Sequence, residues 1–427
     1  MDRPIKKEIN GIDVYYIKST KFKTITWSFI FLHDEGTELI NEYYFLSNIL
    51  VDNMRKYPTF VKKYRYLFSL YGLDAFSSVT TIEKNIVNQF VITYPNEIYI
   101  DNEDSLSEKA FIFLNEIITN PKLRQGKLTK KVLKDSLDEA KQSFKILKSD
   151  KDMYSYYRFS KAFYQDKLDL QFNFPENERL DEVTQDTLTS TYFDLLDKNR
   201  VSLFVTGNFD TEYMDKIIKK HLSNKIVSQD IKIKKREFYY EKGHSSKIVR
   251  ETDKFVRQAR IYLGFGTNIK YMSKKHAALG VFNDIFGGFD QSKLFMDIRE
   301  KSKLAYYVYS QYLPEEQLIV VPVITDFQNE KKVIDKVKQA LKEIQSGNFS
   351  DALFSQAKRN AETSLYSIYD SQPVYLMQHI KTYLSKNKRY DLKKRIEEYR
   401  NITREDIIEV SKSLVLDTVY TLSKGDD

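Results

Sequence analysis

The chain has 427 residues, 41% hydrophobic and 30% charged, which is typical of a folded globular protein with more than one domain. It contains no cysteine, and this excludes disulfides, thiolate catalysis and cysteine-ligated zinc. The net charge of +8 comes from 68 basic and 60 acidic residues spread along the chain. This mild excess does not predict nucleic-acid binding.

The N-terminus carries charges at positions 2–7 with no apolar segment behind them, so we expect no signal peptide. No run in the chain approaches the ~18 consecutive apolar residues that a spanning helix needs. The sequence therefore predicts a cytoplasmic protein that does not insert into a membrane.

The first half alternates strand-like and helix-like segments. Residues 106–118 have the apolar spacing of a helix. Stretches rich in β-branched and aromatic residues predict strands at 14–17, 24–32, 76–81, 86–93 and 201–205. Strands that could form hairpins, mixed with helices, favour an α+β fold.

The second half repeats the order of the first, which indicates a duplicated domain. The matching pairs are 46–50 with 277–281, 114–117 with 341–344, 143–146 with 364–367, and 201–207 with 419–425. We therefore predict two homologous α+β domains, each a mostly antiparallel sheet with helices packed on one face. The predicted boundaries are 1–222 for the N-terminal domain, 223–249 for a lysine-rich linker and 250–427 for the C-terminal domain.

Familiar catalytic motifs are missing from the sequence. None of the histidines, His33, His221, His244, His276 and His379, has a second histidine three or four positions away, so no helix carries a paired zinc site. We expect them to be solvated or at the edge of a core. Gly264-Phe265-Gly266 lacks the third glycine of a dinucleotide loop, and a strand end is the better interpretation.

One constellation can support chemistry. Gly287-Gly288 precedes Arg299 and Tyr306, which are seven residues apart. Arginine offers a forked donor for a carbonyl or carboxylate, and tyrosine offers a hydroxyl donor for a developing oxyanion. If a helix ends near 303–304, Tyr306 starts a strand and its neighbour Tyr307 points to the opposite face. Spacing alone favours the simpler alternative, a surface arginine and a packed tyrosine.

The segments 287–295 and 299–306 read Gly-Gly-Phe-Asp-Gln-Ser-Lys-Leu-Phe and Arg-Glu-Lys-Ser-Lys-Leu-Ala-Tyr. They resemble a signature of the pitrilysin and mitochondrial-processing-peptidase family of inverted-motif zinc peptidases (inverzincins), and the likeness extends over the duplicated chain. The resemblance implies the processing-peptidase-like fold. It also implies that Gly287, Gly288, Arg299 and Tyr306 bind the substrate, and that Arg299 and Tyr306 stabilise an oxyanion at a zinc held elsewhere.

The zinc motif of that family, His-x-x-Glu-His, is absent from this chain. Tyr44, Ser47 and Asn48 stand at its positions, and the third ligand would fall near Asp138 or Glu139. A tyrosine, a serine and an asparagine can neither hold zinc nor supply a carboxylate base, so we expect no metal in this chain. The N-terminal half is similar to the YmfF-like branch of bacterial members, which lack the motif.

Two functions remain open from the sequence. In the first, the chain is the Arg/Tyr subunit of a heterodimeric zinc peptidase, inactive alone, whose zinc lies in a homologous partner and whose substrate is an unfolded or leader peptide in a clam-like chamber. In the second, it is an inactive scaffolding or accessory subunit of a peptide-maturation or translation-factor-modification system.

Overall fold

The computed structural model of the chain describes residues 4–34, 39–100, 105–164, 180, 182–235, 240, 245–386 and 390–425. They form two compact units, each assembled from separate stretches of chain. Unit 1 comprises Met1–Phe144, Gln171–Lys235 and Gln372–Tyr390, and unit 2 comprises Lys145–Leu170, Arg236–Ser371 and Asp391–Asp427. The domain boundaries at 222 and 250 remain a prediction.

Strands and helices alternate along both halves of the chain. The first half contains β1 (Ile5–Ile9), β2 (Ile12–Lys18), β3 (Thr24–Leu32), α1 (Ile40–Asp52), α2 (Phe60–Ser69), β4 (Asp74–Ile82), β5 (Asn85–Pro95), α3 (Leu106–Thr119), β6 (Leu123–Arg124), β7 (Lys127–Leu128), α4 (Lys130–Ser149), α5 (Lys151–Tyr164), α6 (Gln185–Asp197), β8 (Arg200–Gly207) and α7 (Thr211–His221). The second contains β9 (Lys247–Thr252), β10 (Ala259–Gly266), α8 (His276–Asn283), β11 (Ala305–Val308), β12 (Gln311–Leu313), β13 (Leu318–Thr325), α9 (Glu330–Gln345), α10 (Asp351–Ile368), α11 (Gln372–Lys386), α12 (Leu392–Arg400), α13 (Arg404–Ser411) and β14 (Val415–Ser423).

The sheet of unit 1 has the order β1-β2-β8-β3-β5-β4. Its pairs are antiparallel except that of β2 with β8, which is parallel. The central strand β3 is buried along its length after Thr24, which explains why its sequence is a nearly continuous apolar run. Trp27 and Phe29 of β3 pack against Phe111 of α3, and this side of the sheet carries the main core with α1, α3, α6 and α7.

The sheet of unit 2 has the order β11-β13-β10-β14-β9. Here too every pair on that path is antiparallel except one, since β14 and β9 are parallel. The five strands therefore repeat the order and direction of β4-β5-β3-β8-β2 in unit 1. Two α+β domains with mostly antiparallel sheets confirm the predicted fold class, and α1 and α8 occupy the same place after the equivalent strands β3 and β10.

A helix from the opposite half of the chain lies on the second face of each sheet. In unit 1, Tyr383 of α11 packs against Tyr15 and Phe204, with ring centroids 4.1 and 6.4 Å away. In unit 2, Phe159 of α5 stacks on Tyr262 at 5.6 Å. The units are discontinuous because these two equivalent helices are exchanged.

Glycines in β10 make room for that second layer. A Cβ on Gly264 would lie 2.8 Å from the Phe159 ring and 2.9 Å from the Phe163 ring, and one on Gly266 would lie 2.1 Å from the Tyr240 ring. Both glycines are in the strand, so the interpretation of Gly264-Phe265-Gly266 as a strand end is confirmed.

Candidate functional site: a degenerate metal position and an exposed Arg/Tyr pair

The positions of the missing zinc motif lie on α1. Tyr44 is half-buried, Ser47 is buried and Asn48 is exposed. A hydrogen bond between the side chains of Tyr44 and Asn48 and the nearby charge of Glu139 both act on the Tyr44 hydroxyl, whose pKa is raised mainly by burial. The structure thus brings Tyr44, Asn48 and one of the two predicted third-ligand positions, Glu139, into one neighbourhood.

Ser47 takes part in a different, buried network. Its hydroxyl accepts a hydrogen bond from the Asn88 side-chain amide, which also donates to the carbonyl of Tyr43 at 3.2 Å. The Oδ1 atom of Asn88 is 2.7 Å from Nε2 of His33, and the His33 ring packs on Tyr43 with centroids 3.7 Å apart. The position at which the motif needs a glutamate is therefore filled by a small side chain packed against an amide.

These residues do not suit a metal ion. A phenol, a hydroxyl, an amide and one carboxylate lack the imidazole, thiolate and carboxylate set that zinc prefers. Among the residues that the structure describes, no group of three or more His, Cys, Asp and Glu side chains could hold a metal ion. We derive no chemistry from zinc in this chain.

The prediction for the histidines is wrong at three positions. His33, His276 and His379 are buried within the core, and burial lowers their pKa values to about 3, 3 and 4. His221 is partly exposed, with Nε2 2.5 Å from Oε1 of Glu108, and His244 lies outside the described residues. The sequence pattern does not show this burial of histidines. Burial favours the neutral imidazole, which packs among apolar residues like an aromatic side chain.

Gly287 and Gly288 end a short π-helical segment, Asp284–Gly288, that continues from α8. Gly287 is buried, and its carbonyl accepts a hydrogen bond from the Ser310 amide at 2.9 Å. A Cβ on Gly287 would lie 2.6 Å from that nitrogen, and one on Gly288 would lie 2.5 Å from Oδ1 of Asp284. Close packing against the Ser310 backbone thus requires glycine at position 287, whereas the two nearest atoms at position 288 belong to side chains.

Asp284, the first residue of this segment, is a partly buried ionisable group. Burial raises its pKa to about 6, although hydrogen bonds from Asn360 and Asn283 act in the opposite direction. Its Oδ2 accepts from the Asn360 amide at 2.9 Å. Ser310 donates to Oδ1 of Asn283 at 2.9 Å, so polar contacts hold both ends of the turn.

Arg299 lies on a second π-helical segment, Phe295–Lys301, which packs against β11. Its guanidinium is over the Phe295 ring, 4.9 Å from the centroid, and its side chain is 43% exposed. In the described part of the chain its carboxylate neighbour is Glu300, with Nε and Oε1 4.0 Å apart. The forked donor is therefore held over an aromatic ring, remains partly exposed and has only a weak ion pair.

The chain reverses directly after this segment. Lys303 has a left-handed backbone with φ +52°, and the Leu304 amide donates to the carbonyl of Ile298 at 3.0 Å. Strand β11 begins at Ala305. The strand thus begins within one residue of its expected start at Tyr306, whereas the helical segment ends at Lys301, before the expected position 303–304.

Tyr306 is the extra residue of a β-bulge. Ala305 pairs with Thr325 and Tyr307 with Ile324, so Tyr306 has no partner across the strand. It is 56% exposed, and its hydroxyl donates to Oδ1 of Asp326 at 3.1 Å. Bulges re-aim side chains and are common beside active sites, and β11 is an edge strand of its sheet.

The expectation that Tyr307 points away from Tyr306 is wrong. Tyr307 is itself 43% exposed and contacts Tyr309 with ring centroids 5.0 Å apart. The bulge breaks the alternation on which the expectation depended. Tyr307 is therefore not a control for Tyr306.

Sequence reasoning missed Asp326 and Ser310, which position Tyr306 and Gly287. Asp326 directly follows β13, and Ser310 follows β11 by two residues. Neither belongs to the Gly-Gly and Arg/Tyr signature. Their positions just after strand-like segments are the signal that could have found them, since such loop residues commonly carry function.

Comparison with known proteins identifies a family model and a relative that resemble this chain. The sequence model of the family described as Peptidase M16 inactive domain matches residues 182–361. The probable inactive metalloprotease YmfF of Bacillus subtilis (strain 168) is 26% identical over 423 residues, covering 98% of this chain and 97% of that protein. The chain is therefore similar to a probable inactive metalloprotease over its whole length, and its residues 182–361 resemble the M16 inactive domain.

The donor set on α1, which lacks the zinc motif, agrees with that likeness. Two solved structures share its fold. A conserved protein from Enterococcus faecalis V583 has a TM-score of 0.90 at 23% identity, with all of both chains covered. An M16 inactive domain from Pseudomonas fluorescens has a TM-score of 0.79 at 14% identity, covering 99% of this chain and 98% of that one. The family predicted from the sequence is confirmed.

Proposed function

We propose that this chain is the Arg/Tyr subunit of a heterodimeric zinc peptidase. A homologous subunit would carry the zinc and its general base, and this chain would bind the peptide and stabilise the oxyanion. The substrate would be an unfolded or leader peptide held in a closed, clam-like chamber between the subunits. A cytoplasmic location belongs to the same proposal.

The observation that carries the proposal is the bulged edge strand bearing Tyr306. An edge strand can pair with an extended peptide backbone, and the bulge leaves the Tyr306 hydroxyl exposed at that edge. Arg299 lies on the adjoining segment with its fork turned to solvent. Among the described residues, no metal-binding group accompanies Arg299 and Tyr306. This suits a subunit whose donors complete a zinc site in its partner.

The alternative is an inactive scaffolding or accessory subunit. The packing of Ser47 against Asn88 is compatible with it, because the position of the motif's glutamate has become part of the core. The exposed Arg299 favours the first proposal, since its forked donor is accessible to a peptide carbonyl or carboxylate.

Reconstitution tests the proposal. The chain is purified with a zinc-motif homologue from the same organism, and cleavage of unfolded peptides is measured with each subunit alone and with the pair. We expect cleavage with the pair. Tyr306→Phe should lower turnover about 100–1000-fold, as the loss of an oxyanion donor does, while leaving the complex intact on gel filtration.

Tyr99→Phe is the matched control, because Tyr99 is a tyrosine of nearly equal exposure, 55%, elsewhere in the chain. It should retain full activity. Cleavage that is equally fast in the wild type and in Tyr306→Phe would overturn the role of Tyr306. A zinc subunit that neither binds this chain nor needs it would favour the scaffold.

A further inference from the structure

Helix α2 and the turn after it present an apolar surface to solvent. Phe60, Val61, Phe68 and Tyr71 are 70%, 61%, 73% and 47% exposed, and Tyr64 is 38% exposed. Phe60 packs on Tyr64 with ring centroids 4.1 Å apart. A surface helix of a soluble protein normally shows polar residues on this side.

The exposed apolar residues of the helix share one arc. At about 100° per residue, positions 60, 64 and 68 fall within one quarter-turn, with 61 at its margin. Tyr71 follows just past the helix end. The buried residues Lys63 and Leu67 lie on the adjacent arc. The packing of unit 1 thus uses only part of the apolar surface that this segment offers.

The same segment is basic. Arg55, Lys56, Lys62 and Arg65 are exposed, and positions 53–73 contain no aspartate or glutamate. The nearest acidic residues along the chain are Asp52, which forms an ion pair with Lys63, and Asp74. Lys62 and Arg65 fall on the arc next to the apolar one, so cations and apolar groups are segregated.

We propose that this aromatic–basic face (Phe60, Val61, Tyr64, Phe68 and Tyr71 with Arg55, Lys56, Lys62 and Arg65) docks the protein on a membrane surface that carries anionic lipids. Apolar side chains beside a cationic arc are the arrangement of interfacial helices, whose apolar residues enter the acyl boundary while cations remain at the headgroup phosphates. A cluster of four cations supplies attraction to such a surface.

A second copy of this chain is a poor occupant of the face. Two-fold self-association would bring the same four cations against each other, and like charges at an interface oppose association. Peripheral docking needs no spanning segment, and no helix among the described residues has the length and apolar character to cross a membrane.

The test is cosedimentation of the full chain with vesicles. We expect binding to vesicles of phosphatidylcholine with phosphatidylglycerol, little binding to phosphatidylcholine alone, and release at high salt. Phe60→Ser/Phe68→Ser and Lys62→Gln/Arg65→Gln should each weaken binding about tenfold or more. All four positions are exposed, so the variants should keep the wild-type circular dichroism spectrum.

Matched controls come from unit 2. Phe255 is 75% exposed, with Nζ of Lys254 5.1 Å from its ring centroid, and Phe255→Ser should bind like the wild type. Lys393→Gln/Lys394→Gln removes two exposed cations and should do the same. Absence of binding to anionic vesicles, or equal losses in controls and face variants, would overturn the proposal. The proposal would also be overturned if the face variants kept vesicle binding but no longer bound an acidic protein partner.

Discussion

The hydroxyl of Ser47 accepts a hydrogen bond from the side-chain amide of Asn88, at the position where an active relative would need its glutamate. Asn88 is in turn 2.7 Å from the ring of the buried His33. The metal position has therefore not merely lost its ligands. Its glutamate position now lies in a buried, neutral polar network, whereas Tyr44 is half-buried and Asn48 is exposed.

We predict that the purified chain binds no stoichiometric zinc, since Tyr44, Ser47 and Asn48 occupy the motif positions. Elemental analysis after dialysis measures this. About one tightly held zinc per chain would contradict it.

Restoring the motif should not simply restore the site. In Tyr44→His/Ser47→Glu/Asn48→His, a carboxylate enters the space now filled by Ser47 and Asn88, and we expect a loss of about 2–4 kcal/mol in the free energy of unfolding. The double variant Tyr44→His/Asn48→His is the control, and it should lose less because both positions reach the surface of α1. Urea unfolding measures both, and equal stability of the two variants would contradict the packing argument.

A methyl group on β10 should displace the second-face helix. Gly264→Ala places its Cβ 2.8 Å from the Phe159 ring, and we expect a destabilisation of about 1–3 kcal/mol from overpacking. Gly266→Ala should act similarly against Tyr240. Gly425→Ala is the control, because the nearest atom to its Cβ would be 3.7 Å away. Thermal unfolding distinguishes them, and wild-type stability of Gly264→Ala would contradict the close approach of α5.

Acid should destabilise the protein below about pH 6.5. His33, His276 and His379 have lowered pKa values in the folded state, about 3 to 4, so the unfolded chain takes up their protons first. Each costs about 1.4 kcal/mol per pH unit between about 6.5 and its folded pKa. Asp284 has a raised pKa of about 6 in the folded state. Between about pH 4 and pH 6 its protonation stabilises the folded state and offsets the effect of one of the three histidines.

His379→Phe should reduce the number of protons taken up on unfolding by about one, and so lower the slope of stability against pH. The ring of His379 packs edge-on to Tyr375 at 4.6 Å, and its Nε2 has no hydrogen-bond partner among the described residues, so phenylalanine preserves the contacts. Urea unfolding at pH 7.5, 6 and 5 gives the slope. An unchanged slope in the variant would show that His379 does not titrate on unfolding.

Arg299 should act on peptide binding more than on turnover. In the reconstituted pair, Arg299→Ala should raise KM several-fold because a forked donor to the peptide is lost. Arg299→Lys keeps the charge but not the fork and should recover only part of the loss. Arg257→Ala, at another exposed arginine, is the control. Full recovery by lysine would show that charge, not geometry, is what matters.

Much of the fold was predictable from sequence. The strands at 24–32 and 86–93 and the helix at 106–118 lie where their patterns placed them, because burial on one or both faces dictates period and composition. The duplication was also visible, and the matching strand order of the two sheets confirms it. Register bulges leave no such pattern, so the re-aiming of Tyr306 and Tyr307 could not be predicted.

The site was less predictable than the fold. The family signature pointed to Arg299 and Tyr306, but Asp326 and Ser310 are joined to this region only by tertiary hydrogen bonds. The exchange of α5 and α11 was not visible either. An apolar helix face must pack against another element, but the pattern does not indicate which half of the chain provides that element.

That exchange has a consequence for synthesis on the ribosome. The second face of the first sheet, with Tyr15 and Phe204, stays uncovered until α11 has been made, and α11 ends at Lys386 of 427 residues. At ordinary elongation rates of about 5–20 residues per second, this leaves an aromatic sheet surface bare for about ten seconds or more after β8 emerges. We therefore expect a fragment that ends before α11 to aggregate.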